Sequence, residues 1–291
     1  MKVLVVGCNG QVGQALLERI PQEVELLAAD RKTLDITDAS NVERIISEFK
    51  PQFVINTAGY TNVDQAELER ELCFKINCDG SRNLAISSNN VDATIIHLST
   101  DYVFAGDKVG EYVETDLTKP TSVYGQSKLA GEEAIRQVTE KHIILRTSWV
   151  FGEHGNNFVK TMLRLGATHE TLSVVGDQYG GPTYAGDIAH AIITIINKLS
   201  AIDESTLYGT YHFSGMPHVS WYEFSEEIFQ KAEVNLLNTP VLTSITTDMY
   251  PTLAVRPKNS TMNCGKIKRS FDVNPSNWPV ALESIEGYME S

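Results

Sequence analysis

The stretch Lys2-Val-Leu-Val-Val-Gly7-Cys-Asn-Gly10-Gln-Val-Gly13 decides the fold. Val3 to Val6 is an unbroken aliphatic run, the pattern of a strand covered on both faces in a parallel sheet. It stops at Gly7, and a helical stretch over residues 11–20 follows until Pro21. In such a strand–turn–helix, Gly7 permits the tight turn, Gly10 lets the backbone approach a diphosphate, and Gly13 lets helix and strand pack closely. The helix N-terminus adds amides and positive dipole. The spacing is G-x-x-G-x-x-G rather than the more familiar G-x-G-x-x-G, and by itself such a match is weak, a plain turn being the alternative. The buried N-terminal strand before it makes it a dinucleotide-binding turn.

The same alternation continues outward. Further strands are expected at residues 24–29, 53–56, 93–98 and 142–146. Helices are expected between them. One carries Val42, Ile45, Ile46 and Phe49 on a single face and is closed by Pro51; the others cover residues 77–89 and 123–138. Strands alternating with helices imply βαβ crossovers, so the fold class is α/β, a Rossmann-like doubly wound parallel sheet. The second half is less regular, with helices expected at 157–166, 184–198 and 220–232 and a short strand at 210–213. The chain therefore reads as a dinucleotide-binding domain over 1–150. A smaller C-terminal substrate-binding lobe covers 151–291, with a diffuse boundary across which segments can return. The cleft belongs at the carboxyl ends of the strands.

Composition excludes several classes. The 291 residues carry 24 basic and 37 acidic side chains, a net charge of −13 that disfavours nucleic acid and anionic membranes as partners. No apolar run approaches the roughly 20 residues of a membrane helix. The four cysteines form no C-x-x-C pair and no zinc spacing, so reduced thiols in a cytoplasmic enzyme, with no metal, are expected.

Two further motifs carry chemistry. Asp30 ends the second strand, where a carboxylate suits an adenosine ribose hydroxyl. Arg31 and Lys32 follow and suit a 2′-phosphate, so NADPH and NADH both remain open as the cofactor. Asp35-Ile36 borders the adenine on this reading. In Tyr124-Gly-Gln-Ser-Lys128, tyrosine and lysine fall one helical turn apart on one face. A nearby ammonium is expected to lower the tyrosine pKa from about 10 and fit it for acid–base work. Ser99-Thr100 ends the fourth strand, so Thr100, Tyr124 and Lys128 together make a carbonyl-reducing site.

The glycine turn, Asn56-Thr-Ala58-Gly59, Thr100 with Tyr124 and Lys128, and Asn77-Cys-Asp-Gly-Ser-Arg-Asn-Leu84 resemble the extended short-chain dehydrogenase/reductases. Further segments resemble the branch of that family that reduces dTDP-linked 4-keto sugars. They include T-x-V-D-x-A-E at 61–67, S-T-D-Y-V-F at 99–104, R-T-S-W-V at 146–150, G-x-P-T at 180–183 and R-P-x-N-S at 256–260.

The resemblance implies reduction of the 4-keto group of dTDP-4-dehydro-L-rhamnose, for cell-surface polysaccharide. It implies that Gly7, Gly10, Gln11 and Val12 meet the cofactor diphosphate. Asp30 and Arg31 would meet the adenosine ribose, Asp35 and Ile36 the adenine, and Ala58, Gly59, Tyr60 and Thr61 the length of the cofactor. Tyr124 and Lys128 would face the nicotinamide ribose, and Thr100, Asp101, Tyr124, Trp149 and Arg256 the dTDP-sugar. Trp149 also reads as a core tryptophan between lobes. Some relatives form Mg²⁺-bridged dimers through carboxylates whose positions correspond here to Ala15 and Gly186, which cannot ligate. A monomer or a homodimer without bridging metal is expected. Two other functions stay in view: a dehydratase or epimerase, which would need a second acid where Tyr102 stands, and a non-catalytic nucleotide-binding subunit.

Overall fold

The computed structural model describes residues 1–202, 205–234 and 239–289. Its centre is a six-stranded parallel sheet in which β1 (Lys2–Val6) lies between β2 (Glu25–Ala29) and β3 (Phe53–Asn56). β4 (Thr94–Thr100), β5 (His142–Thr147) and the strand Gly209–His212 continue it beyond β3. Val3 to Val6, Phe53 to Asn56 and Ile143 to Leu145 are buried, as strands covered on both faces must be.

Each face has its own apolar layer. On one side Val3, Val5 and Ile55 pack with Leu16 of α1 (Gln11–Arg19) and with Ile188, Ile192 and Ile195 of the helix Ala185–Ala201. On the other, Leu4, Val6 and Val54 pack with Val42, Ile45 and Ile46 of α2 (Ala39–Phe49) and with Leu84 and Ile135. The sheet thus takes its sixth strand and a covering helix from the second half of the chain. A third apolar cluster, built on Phe151, Val159, Phe224, Ile228, Trp278 and Tyr288, forms the core of the remaining C-terminal lobe. That lobe includes a two-stranded parallel pair, Thr171–Val175 with Val241–Ile245, which the sequence reading did not contain.

The helix expected at 77–89 starts earlier and is interrupted. An α-helix, Arg70–Phe74, runs into a π-helical turn, Lys75–Gly80, and then into the α-helix Ser81–Asn90. Its inward positions include Leu84 and Ala85 but otherwise carry Cys73, Asn77, Gly80, Ser81, Ser87 and Ser88, so the apolar periodicity that marks a helix is faint. The small residues are needed for space. A Cβ on Gly80 would lie 2.6 Å from Ile36, and one on Gly131, in the facing helix Val123–Val138, would lie 2.2 Å from the Asn77 carbonyl oxygen.

Candidate active site

The carboxyl ends of β1 to β5 open into a cleft of about 1000 Å³. Gly7, with φ +81°, turns the chain out of β1, and any Cβ there would lie 2.6 Å from the Ala58 nitrogen. A Cβ on Gly13 would lie 2.4 Å from the Gly7 oxygen, so the turn is closed to side chains. Gly10 caps α1 without a side-chain bond, leaving the first amides facing the cleft.

Gly7, Gly10, Gln11, Val12, Asp30, Arg31, Asp35 and Ile36 all line this cleft. So do Ala58, Gly59, Tyr60, Thr61, Tyr124 and Lys128. Asp30 is held in one rotamer: its Oδ1 accepts from the Thr33 amide at 2.9 Å and hydroxyl at 2.9 Å, and from the Lys32 amide at 3.1 Å. These bonds, Thr33 first, hold its carboxyl below the usual range. Arg31 and Lys32 border the same end. Thr147, at the end of β5, has a buried hydroxyl without a protein partner and also lines the cleft. A closed glycine turn, uncapped amides and an orphaned hydroxyl fit a dinucleotide.

At the inner end, Ser122 caps the helix Val123–Val138, accepting from the Gly125 amide at 3.1 Å. This places Tyr124 in the first turn and Lys128 in the next. The Thr100 hydroxyl lies close enough to the Tyr124 phenol to favour its ionised form. Thr100 donates to Asp101 Oδ1 at 2.9 Å. Thr100 and Asp101 are 5% and 2% exposed and are not among the residues that line the cleft. Burial pushes the Asp101 carboxyl up to about 6.

Burial raises the Tyr124 phenol above its ordinary value, with Thr100 opposing. The sequence reading expected Lys128 to lower it. Instead Lys128 donates to the Leu98 carbonyl at 2.6 Å, and burial pushes its own pKa down to about 8.

The two outlying candidates are placed differently. Trp149, at φ +46°, stacks on Trp221 with ring centroids 3.4 Å apart and lies against Gly180, where a Cβ would sit 2.5 Å from the indole. It is outside the cleft lining and packs, partly buried, against the C-terminal core. Arg256 was expected to offer its charge to a diphosphate. Its guanidinium is paired end-on with Asp64 through both terminal nitrogens at 3.1 and 2.8 Å and lines a separate pocket of about 550 Å³ with Gly106, Tyr250 and Lys258. The carboxylate already neutralises most of that charge, and the pair ties the 61–67 motif to the 256–260 motif.

Asn77 and Asp64 were missed as site residues. Asn77 accepts from the Tyr60 amide at 2.8 Å and donates to the Tyr60 carbonyl at 3.1 Å and to Ser127 Oγ at 2.9 Å. It thereby holds the cofactor-side loop against the helix that carries Tyr124. Its signal was a polar residue at an inward helical position.

Ala15 is buried, and a Cβ on Gly186 would lie 2.3 Å from the Tyr184 ring and 2.8 Å from the Arg19 guanidinium. Asp187 accepts from Ser276 Oγ at 2.6 Å. Among the described residues of this chain no group of three or more His, Cys, Asp or Glu could hold a metal. No helix of the described residues is long and apolar enough to cross a membrane.

Comparison with known proteins agrees with this geometry. The family model described as "RmlD substrate binding domain" matches residues 1–288. A dTDP-4-dehydrorhamnose reductase from Aggregatibacter actinomycetemcomitans is 48% identical over 99% of both chains. A crystal structure of a dTDP-4-dehydrorhamnose reductase from Clostridium acetobutylicum superposes with a TM-score of 0.91 at 37% identity, covering 98% of each chain. One from Bacillus anthracis, in complex with NADP, gives 0.90 at 40% identity and the same coverage. The chain belongs to the RmlD substrate binding domain family, within the extended short-chain dehydrogenase/reductases.

Proposed function

We propose that this chain reduces the 4-keto group of dTDP-4-dehydro-L-rhamnose to give dTDP-L-rhamnose, using NADPH or NADH. The observation that carries the reading is the pair Tyr124 and Lys128, one helical turn apart, lining the inner end of a dinucleotide cleft. The relatives named above support the substrate, and the Bacillus anthracis complex supports NADP.

A reduced nicotinamide supplies hydride to the keto carbon when bound. The protein's task is the proton. Tyr124 is half-buried and desolvation makes it hold its proton, so it is loaded at neutral pH and gives it up only as the ketone oxygen becomes strongly basic. Thr100, beside the phenol, is oriented by its bond to Asp101. Lys128, beside Gly59, is placed to bind the nicotinamide ribose. The dehydratase alternative needs a second acid beside Asp101. Tyr102 occupies that position, packed edge-on to Tyr124 at 5.5 Å, and brings no carboxyl there.

The rest of the reading is a cytoplasmic monomer or metal-free homodimer, without nucleic-acid or membrane partners, supported by the net charge of −13. The test is cofactor absorbance with the keto-sugar nucleotide. Stoichiometric NAD(P)H consumption with formation of the 4-hydroxy product is expected; product formation without cofactor consumption overturns the reading.

A further inference from the structure

Two buried side chains outside the cleft wall, Asn56 and His97, face each other as register partners on β3 and β4. Asn56 Oδ1 accepts from the Ala58 amide at 3.1 Å. A backbone N–H only donates, so the oxygen must be the atom on that side, and the orientation of the carboxamide is fixed. Its nitrogen then faces His97 Nδ1 at 3.0 Å. An amide NH₂ also only donates, so Nδ1 must be bare. The ring is wholly buried and lies near the cations Lys128 and Arg136, which excludes a second proton. The single ring proton is therefore on Nε2, and Nε2 lies 3.4 Å from Lys128 Nζ.

An ammonium has no lone pair, so this contact sets donor against donor. We infer that His97 is a positioning residue for Lys128: locked by Asn56 with its proton on Nε2, it refuses the ammonium as a donor and leaves its hydrogens for Leu98 and the cleft. This rests on Lys128 acting on the cofactor as proposed above. One hydrogen goes to the Leu98 carbonyl at 2.6 Å. The other two are left for the Gly59 side, where a cofactor ribose offers acceptors. With the opposite tautomer, Nε2 would capture one of them.

The arrangement also makes the ammonium readier to lose a proton. The other titratable groups around it are Glu132 on the same helix and Cys73 on the helix Arg70–Phe74, both favouring the charge, while Arg136 repels a charge on His97.

The tautomer is read on the wild-type chain with ¹⁵N-labelled histidine, from about pH 6 to 9. The expected result is a pyridine-type Nδ1 and a protonated Nε2 that do not titrate. A protonated Nδ1, or a ring that titrates, overturns the inference. The consequence is read as NADPH affinity by fluorescence against pH, with Lys128→Met as the control that removes the alkaline limb.

His97→Gln offers Lys128 an oxygen. It should move the alkaline limb up by about one pH unit and weaken NADPH several-fold at neutrality. His97→Leu takes the donor away without supplying an acceptor. It should move the limb up less and keep NADPH within about twofold of wild type. A limb unmoved in both variants, or equal weakening in both, overturns the inference. Turnover is not part of this readout. Loss of the reductase reading would show as an intact limb shift in a chain that does not turn over the keto-sugar nucleotide.

Discussion

Two buried charges sit one turn apart on the helix Val123–Val138 and are treated in opposite ways. Glu132 is saturated: Arg146 donates to it at 2.9 and 2.7 Å, Arg136 at 2.5 Å and Ser99 at 2.5 Å. Burial pushes its carboxyl up, but the Arg146 bonds and charge outweigh it and hold it below the usual range. Lys128 has one carbonyl and a histidine that does not accept. Burial wins there and lowers its pKa to about 8. The first charge is complete without a ligand and fastens β4, β5 and the helix together. The second is incomplete until something enters the cleft, which is what a binding residue requires.

The largest expected effect tests the saturated side. Glu132→Ala leaves Arg146, 2% exposed, without its counter-charge, and should cost about 3–5 kcal/mol of folding stability. Urea melts measure it, and a loss below about 1 kcal/mol would erase the contrast. Next, Tyr124→Phe should keep cofactor binding and stability while kcat falls at least ~10²-fold, the low end for a positioned general acid. Near wild-type turnover would remove Tyr124 as the proton donor.

The third effect distinguishes the two charges directly. Lys128 has a folded pKa of about 8 against 10.5 in the open chain, so the unfolded chain holds more protons between those values. Stability therefore rises with pH across that window, and below it the full cost of the buried charge, on the order of 3 kcal/mol, is present. Lys128→Met should thus abolish turnover yet gain about 1–3 kcal/mol near pH 7, with the gain shrinking as pH rises toward about 10. Melts at two pH values check it. A loss of stability would make Lys128 a structural charge like Glu132.

Smaller effects belong to the exposed rim. Neutralising Arg31 and Lys32 together should weaken NADPH relative to NADH by roughly tenfold, because two solvated cations contribute modestly to a 2′-phosphate. Steady-state KM values for both cofactors decide it, and equal losses would reduce the pair to surface charge. The smallest expected effect is none. Chelation by EDTA should leave turnover and sedimentation unchanged, and joint loss with recovery on Mg²⁺ would show that other carboxylates build a site.

The rim and the inner corner also differ in how legible they were. Gly7, Gly10, Asp30, Gly59 and Tyr60 lie in short loops directly after strands, and one βα unit brings each to the cleft. Their positions follow from local spacing, because a strand that ends at the sheet edge delivers its next residues to the same face. Tyr124 and Lys128 were equally legible, since one helical turn sets their relation.

What the chain's order of residues determined by itself was therefore the sheet, its glycine turn and the tyrosine–lysine pair, all fixed by strand and helix periods acting over a few residues. Only the tertiary structure decided the partners. Asp64 neutralises Arg256, Trp221 takes up Trp149, Arg146 completes Glu132, and Asn56 sets the proton of His97 against Lys128. Each of these joins residues from different elements. Whether a buried charge is spent on a neighbour or kept for a ligand depends on which donor or acceptor the packing brings within about 3 Å, and no spacing along the chain encodes that.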